Sequence, residues 1–215
     1  MTSIAIRLSR LHFPVTSLGP GHRIGIWVQG CSIRCPGCIS MDTWNAGRGD
    51  TTVESVLNAM AGWLGEADGF TISGGEPFDQ PDALLAFLHA LRTRHSGDIL
   101  VYSGYPLETL PLQRFAGLID VIISDPFDAA APQTLKLRGS DNQRLTALTP
   151  LGRDRFTALA TERDNDRPQL DVVFDDLAGD AFLAGVPRRG DLLRLQRLLQ
   201  NAGHLAGTTQ DPRQP

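Results

Sequence analysis

Cysteine is scarce in this 215-residue chain, and what little there is sits together. There are 3 cysteines, Cys31, Cys35 and Cys38, all in the run Gly30-Cys-Ser-Ile-Arg-Cys-Pro-Gly-Cys. No second cysteine cluster exists to build another metal centre. The histidines, 5 in number, show none of the paired spacing of zinc modules, although His12 and His22 lie upstream of the loop. No apolar run reaches the roughly 18 residues of a membrane span, so none is expected. The N-terminus lacks the apolar stretch and cleavage site of a secretory signal. An excess of basic residues is also missing: the net charge of −4 argues against nucleic acid as the main partner.

What is present fits a soluble globular protein, with 41% hydrophobic and 20% charged residues. The length allows one domain with a substantial core. The expected extent is a single domain over 1–201, followed by a polar, proline-bearing tail over 202–215 that frays. Clustered cysteines in an unexported chain point to a reducing cytoplasm and to metal rather than disulfides.

The C-x3-C-x2-C spacing puts three thiolates on one loop and supplies no fourth. Closed structural zinc sites take four protein ligands, and cubane iron–sulfur clusters usually take four thiolates. Three therefore describe a metal site with an open position. The plainer alternative is zinc completed by a histidine, or three buried thiols.

Apolar runs alternate with helical patterns along the chain. Strands are expected at 23–29, 69–73, 98–103 and 119–124, with a short one at 135–138 and two later candidates at 170–174 and 181–186. Thr51-x-x-Glu54 has the form of a capping box before a helix with Val53, Val56, Leu57, Met60 and Leu64 in phase. Pro81 opens a second helix carrying Leu84, Leu85, Leu88 and Leu91, and a closing helix spans Leu192 to Leu199. A short helix after the third of these strands is expected to break at Pro111. Such alternation favours a parallel sheet with helical crossovers. Five or six units are too few for a closed eight-fold barrel, so an α/β open partial (β/α)6 barrel is expected. Reactive groups in such folds gather beyond the C-terminal strand ends. The cysteine loop, Gly74-Gly75-Glu76, Ser103-Gly104, Asp125 and Arg138-Gly139-Ser140 all follow strands and are expected to share one mouth.

The cysteine motif after one strand, with Gly74-Gly75-Glu76 after the next, resembles the radical S-adenosylmethionine (radical SAM) superfamily. Gly19-Pro20-Gly21-x-Arg23 and Trp27-Val-Gln-Gly-Cys31 are similar to the activating enzymes of glycyl-radical enzymes. Thr43-Trp44, the run from Arg138 to Arg144, and Ala184-Gly-Val-Pro187 most resemble the activases of anaerobic ribonucleotide reductase. The resemblance spans about 17–200. Two positions depart from the wider pattern: Gly37 stands where most of the superfamily has an aromatic, and Leu18 where these activases often have Asp.

That resemblance implies one [4Fe-4S] cluster on Cys31, Cys35 and Cys38, with S-adenosylmethionine chelating the iron the chain leaves open. It implies contacts to that cofactor from Gly37 near the adenine, and from Gly74, Gly75 and Glu76 near the methionine. Asp125 and Arg138 are the further expected contacts, to ribose or carboxylate. The implied reaction is reductive cleavage to a 5′-deoxyadenosyl radical that takes a Cα hydrogen from a glycine of a partner glycyl-radical enzyme. A flavodoxin or ferredoxin is the implied electron donor. Two alternatives stand beside this: a divergent radical SAM enzyme acting on a peptide or small molecule, and a non-catalytic iron–sulfur redox module. Trp27 and Trp44 read as packing residues, and Glu108, Asp175 and Asp176 as surface carboxylates.

Overall fold

The run Arg23–Val28 (β2) is buried at every position. Gly69–Gly74 (β4), Asp98–Tyr102 (β5) and Val121–Ser124 (β6) are almost as deeply enclosed. Strands covered on both faces have no solvent side to mark with polar residues, hence their nearly unbroken apolar sequences. In the computed structural model, which describes residues 4–162, 170–175 and 180–208, these four pair in parallel in the order β2-β4-β5-β6. Antiparallel strands complete the sheet. Ala5–Val15 (β1) and Asp50–Thr52 (β3) lie beyond β2, and Arg144–Ala147 (β7) lies beyond β6. The seven strands form an open sheet, as the alternation predicts, with four in the parallel part.

Side chains alternate across it. Ile99, Val101 and Ile122 enter a large core with Ile24, Phe70 and Ile72, closed by Val53–Ala59 (α1) and Pro81–Arg92 (α2). Leu100, Val121 and Ile123 enter a smaller core with Phe156 of Pro150–Thr161 (α3). Leu170–Asp175 (β8) and Asp180–Gly185 (β9) pair only with each other, and Asp191–Asn201 (α4) follows. No helix among the described residues is long and apolar enough to cross a membrane.

Several expectations change. β1 escapes the sequence reading because register shifts between Leu8 and Arg10, and between His12 and Val15, break its period-two pattern. The strand expected at 135–138 is one bridge at Leu135 followed by a turn in which Leu137 has φ 64°, which no strand accommodates. β7 takes that edge instead. The two late strands form a separate hairpin, so neither continues the parallel order. The helix cap falls one residue later than the expected box: Thr52 Oγ1 accepts from Ser55 N at 3.1 Å. That helix ends at Ala59, and a 3₁₀ turn, Ala61–Trp63, carries the chain on. Pro111 separates two short 3₁₀ turns, Leu107–Thr109 and Leu112–Phe115. Asp176 and residues 209–215 of the expected tail lie outside the described residues.

At the N-terminal edge of the parallel strands, Arg23 is fully buried and pairs with buried Asp98 at 2.7 Å. Arg155 reaches the other Asp98 oxygen at 2.8 Å. Both arginines donate to the Pro20 carbonyl, at 3.1 and 3.2 Å. The Gly-Pro-Gly-x-Arg stretch thus anchors strand bottoms, opposite the end where the cysteines lie.

Candidate cluster and cofactor site

β2 runs into the cysteine loop, and the loop is fastened at both flanks. Gly30 N donates to Thr43 O at 2.7 Å, and Cys31 N to Trp44 O at 3.2 Å. Asp79 accepts from Ser32 N at 2.7 Å and from Tyr105 Oη at 2.8 Å. Cys38 N closes a turn onto Cys35 O at 3.1 Å, with Gly37 at φ 75° inside it. A Cβ at Gly37 would have ordinary contacts of 3.6 Å and beyond, so the left-handed backbone, and not crowding, calls for glycine there.

The end of β4 docks directly against this loop. Gly75 N donates to Val28 O and Glu76 N to Gly30 O, both at 2.8 Å. A Cβ on Gly75 would fall 2.1 Å from Gly30 O, and one on Gly74 2.6 Å from Val28 O. The glycines are therefore demanded by the meeting of β2 and β4, apart from any contact to a cofactor that the resemblance implies.

Glu76 is buried and locked. Its carboxylate accepts from Phe78 N at 3.0 Å, Ser103 Oγ at 2.9 Å and Gly104 N at 2.8 Å. Burial pushes its pKa up from 4.5 to about 7, against the pull of those three donors. The group therefore ties the β4 end to the β5 end, and its charge is poised near neutral pH.

A cavity of about 190 Å³ opens between these loops. Cys31, Cys35 and Cys38 line it together with Gly37, and Gly74, Gly75 and Glu76 form the adjoining strip. Trp27, Ile33, Trp44 and Phe127 make much of its lining apolar, and Gly185 to Pro187 with Arg189 form the far wall. Two of the expected contacts do not reach it. The Asp125 carboxylate, on a residue with φ 81°, is held by Arg144 at 2.7 Å, and Arg144 also grips exposed Glu108. The Arg138 guanidinium donates to Ala160 O at the end of α3 at 2.7 Å. Both side chains instead fasten the loops around them, whose Phe127, Gln133, Gly139 and Gln143 line the cavity. Phe127, Gln133 and Arg189 are lining residues that no sequence spacing marks, whereas Gln143 falls in the run from Arg138 to Arg144 that the resemblance singled out.

The donor set suits an iron–sulfur cube. Burial pushes up the Cys35 and Cys38 thiols, opposed by N–H groups from Phe127 and Ser40 respectively. Backbone donors aimed at sulfur fit thiolates engaged with metal better than neutral thiols. Among the described residues no three His, Cys, Asp or Glu side chains are gathered as around a single ion. A cube places each cysteine on a different iron and so spreads its ligands. His12 packs on Trp27 and His22 N bonds Asp68, and neither histidine lines the cavity to complete a zinc site.

A 4Fe-4S single cluster domain family matches residues 17–146. The chain belongs to that family. The matched segment holds all three cysteines, the Gly74–Glu76 strip and the four parallel strands β2, β4, β5 and β6. Among curated relatives, the anaerobic ribonucleoside-triphosphate reductase-activating protein of Enterobacteria phage T4 is 31% identical over 138 residues, 61% of this chain and 87% of that protein. The one from Escherichia coli K12 is 32% identical over 145 residues, 61% of this chain and 93% of that protein. The pyruvate formate-lyase-activating enzyme of Listeria monocytogenes is 34% identical over 92 residues, 40% of this chain and 37% of that enzyme. Among solved structures, QueE from Escherichia coli has a TM-score of 0.44 at 16% identity, covering 70% of this chain and 67% of that one.

Proposed function

We propose that this chain is a radical SAM activase that installs a glycyl radical on a partner protein, an anaerobic ribonucleoside-triphosphate reductase. The observation that carries this is the sharing of one cavity by the three cysteines and the Gly74–Glu76 strip, in a chain similar to activating proteins along most of their length.

Cys31, Cys35 and Cys38 would hold three irons of a [4Fe-4S] cluster, and the cysteine count leaves the fourth iron to S-adenosylmethionine. When bound, the two would together supply one-electron reductive cleavage of the sulfonium, the chemistry needed to take the Cα hydrogen of a partner glycine. The chain's own residues bind, aim and shield. Gly37 offers main chain to the adenine. Gly74 and Gly75 present a side-chain-free strip to the methionine, and Glu76 braces that strip against the β5 end. Trp27, Ile33 and Phe127 keep water from the reacting carbon, which protects a radical from wasteful quenching. Asp125 and Arg138 hold the wall and do not touch the cofactor. The electron comes from a flavodoxin or ferredoxin in the cytoplasm.

The test is anaerobic. Protein reconstituted with iron and sulfide and reduced with dithionite is expected to convert S-adenosylmethionine to 5′-deoxyadenosine. With the reductase present it is expected to produce a glycyl electron paramagnetic resonance doublet. Cys35→Ala is expected to lose cluster and cleavage together. Cleavage without a doublet would point to another substrate, and a cluster without cleavage to a redox module.

A further inference from the structure

Trp44 has an unusual place in the cysteine cavity. It lines that cavity, yet its indole Nε1 is fully buried and makes no hydrogen bond of normal geometry. An indole N–H can only donate, and a buried donor left idle is costly. Cys38 lines the same cavity, and its sulfur, which already receives Ser40 N at 3.4 Å, is a group able to use it.

The position of this side chain is closely determined. Trp44 O receives the Cys31 N–H, and Trp44 N bonds Met41 O at 3.1 Å. On either side, Gln29 Nε2 donates to Asp42 O at 3.3 Å and to Asn45 O at 2.8 Å. Thr43 is fully buried, with Oγ1 on Ser40 O at 2.7 Å. One residue therefore holds the first cysteine by its backbone while its ring lines the cavity that the third cysteine also lines. Simple packing explains the ring but gives no reason for turning its single polar atom inward.

We propose that Trp44 donates its indole N–H to the sulfur of Cys38 when that cysteine ligates the cluster, and thereby raises the cluster's reduction potential. This rests on the cofactor reading above. Adding an electron makes the cluster and its thiolates more negative, so a donor aimed at sulfur stabilises the reduced form more than the oxidised one. Hydrogen bonds to sulfur are among the means by which proteins set such potentials. Trp44 is on this account a positioning residue that makes the cluster easier for a physiological donor to reduce.

The experiment compares reconstituted wild type with Trp44→Phe, which keeps an aromatic ring and removes the N–H. Iron and sulfide are assayed first, then the cluster is titrated anaerobically by electron paramagnetic resonance. At the wild-type midpoint, Trp44→Phe is expected to show a roughly tenfold lower ratio of reduced to oxidised cluster, a downward shift of about 59 mV for one electron. Equal iron loading with an unchanged or higher midpoint would overturn the proposal and leave the cofactor reading standing. Wild-type protein that holds no [4Fe-4S] cluster would overturn both. Should Trp44→Phe fail to load, Trp27→Phe labelled with 15N-indole tryptophan, where Trp63 lies away from the cavity, gives a second readout. Its reduced cluster is expected to show hyperfine coupling to an indole nitrogen, and the absence of coupling would refute the hydrogen bond.

Discussion

Replacing Gly75 with alanine tests how the strip and the cysteine loop depend on each other. The new methyl would lie 2.1 Å from Gly30 O and 2.7 Å from Gly30 C, both backbone atoms one residue before Cys31. Neither can swing aside as a side-chain end would. Relief requires the β4 end to move off the β2 end, stretching the 2.8 Å bonds from Gly75 N and Glu76 N. Overpacking of this kind costs about 1–3 kcal/mol. Two weakened hydrogen bonds add about 0.5–1.5 kcal/mol each. The expected total of about 2–6 kcal/mol is a large share of the roughly 5–15 kcal/mol that holds a domain together. Gly37→Ala is the internal comparison. It meets nothing closer than 3.6 Å and bears only the cost of φ 75°, about 1–2 kcal/mol. Urea unfolding of the metal-free proteins, followed by circular dichroism, measures both, and iron content after reconstitution reports the loop. Gly75→Ala is expected to be the less stable variant and to lose most of its iron. If it unfolds within about 1 kcal/mol of wild type, or later than Gly37→Ala, the argument from backbone collision is wrong.

Two further predictions concern buried charge. The Glu76 carboxyl has a higher pKa folded than unfolded, so the folded state favours its protonated form. Its contribution is fully present below about pH 4.5 and is lost as pH rises to about 7, a fall of about 3 kcal/mol at roughly 1.36 kcal/mol per decade. Glu76→Gln is expected to flatten that slope in metal-free protein, and an unchanged slope in urea midpoints measured from pH 4 to 8 would assign it elsewhere. Asp98→Asn strips the counter-charge from fully buried Arg23 and from Arg155 while keeping the side chain's size. A loss of about 3–5 kcal/mol is expected by thermal and urea unfolding; near-wild-type stability would mean that the carbonyls around Arg23 suffice.

The cysteine loop and the Gly74–Glu76 strip were legible because each lies within a few consecutive residues at the end of an apolar strand. Strand-end clustering then brought Ser103, Gly104 and Gly139 to the same mouth correctly. Asp125 and Arg138 followed the same rule in position but not in direction. Asp125 takes φ 81° and turns to Arg144, while Arg138 is drawn to a carbonyl on α3, a helix whose weak apolar face hid it from the periodicity. Trp44 read as packing because nothing in its neighbours in sequence tells whether the indole nitrogen will find an oxygen. β1 was obscured by its register shifts, and the late hairpin because two short apolar runs do not announce whether they join a sheet or pair apart.

The hairpin of β8 and β9 has a consequence of its own. Asp171 receives Thr16 N, Thr16 Oγ1 and Ser17 N at 2.7 to 2.9 Å, fastening β8 to the segment after β1. The chain leaving β9 then supplies Gly185, Val186, Pro187 and Arg189 to the chamber. These four lie after residue 146, where the shared family segment stops, while the sulfur ligands lie well inside it. One side of the chamber thus lies within the family segment, and the opposite side hangs on a clasp of its own. A change in the clasped side can therefore alter what the chamber admits while leaving the cysteine loop and its fastenings in place.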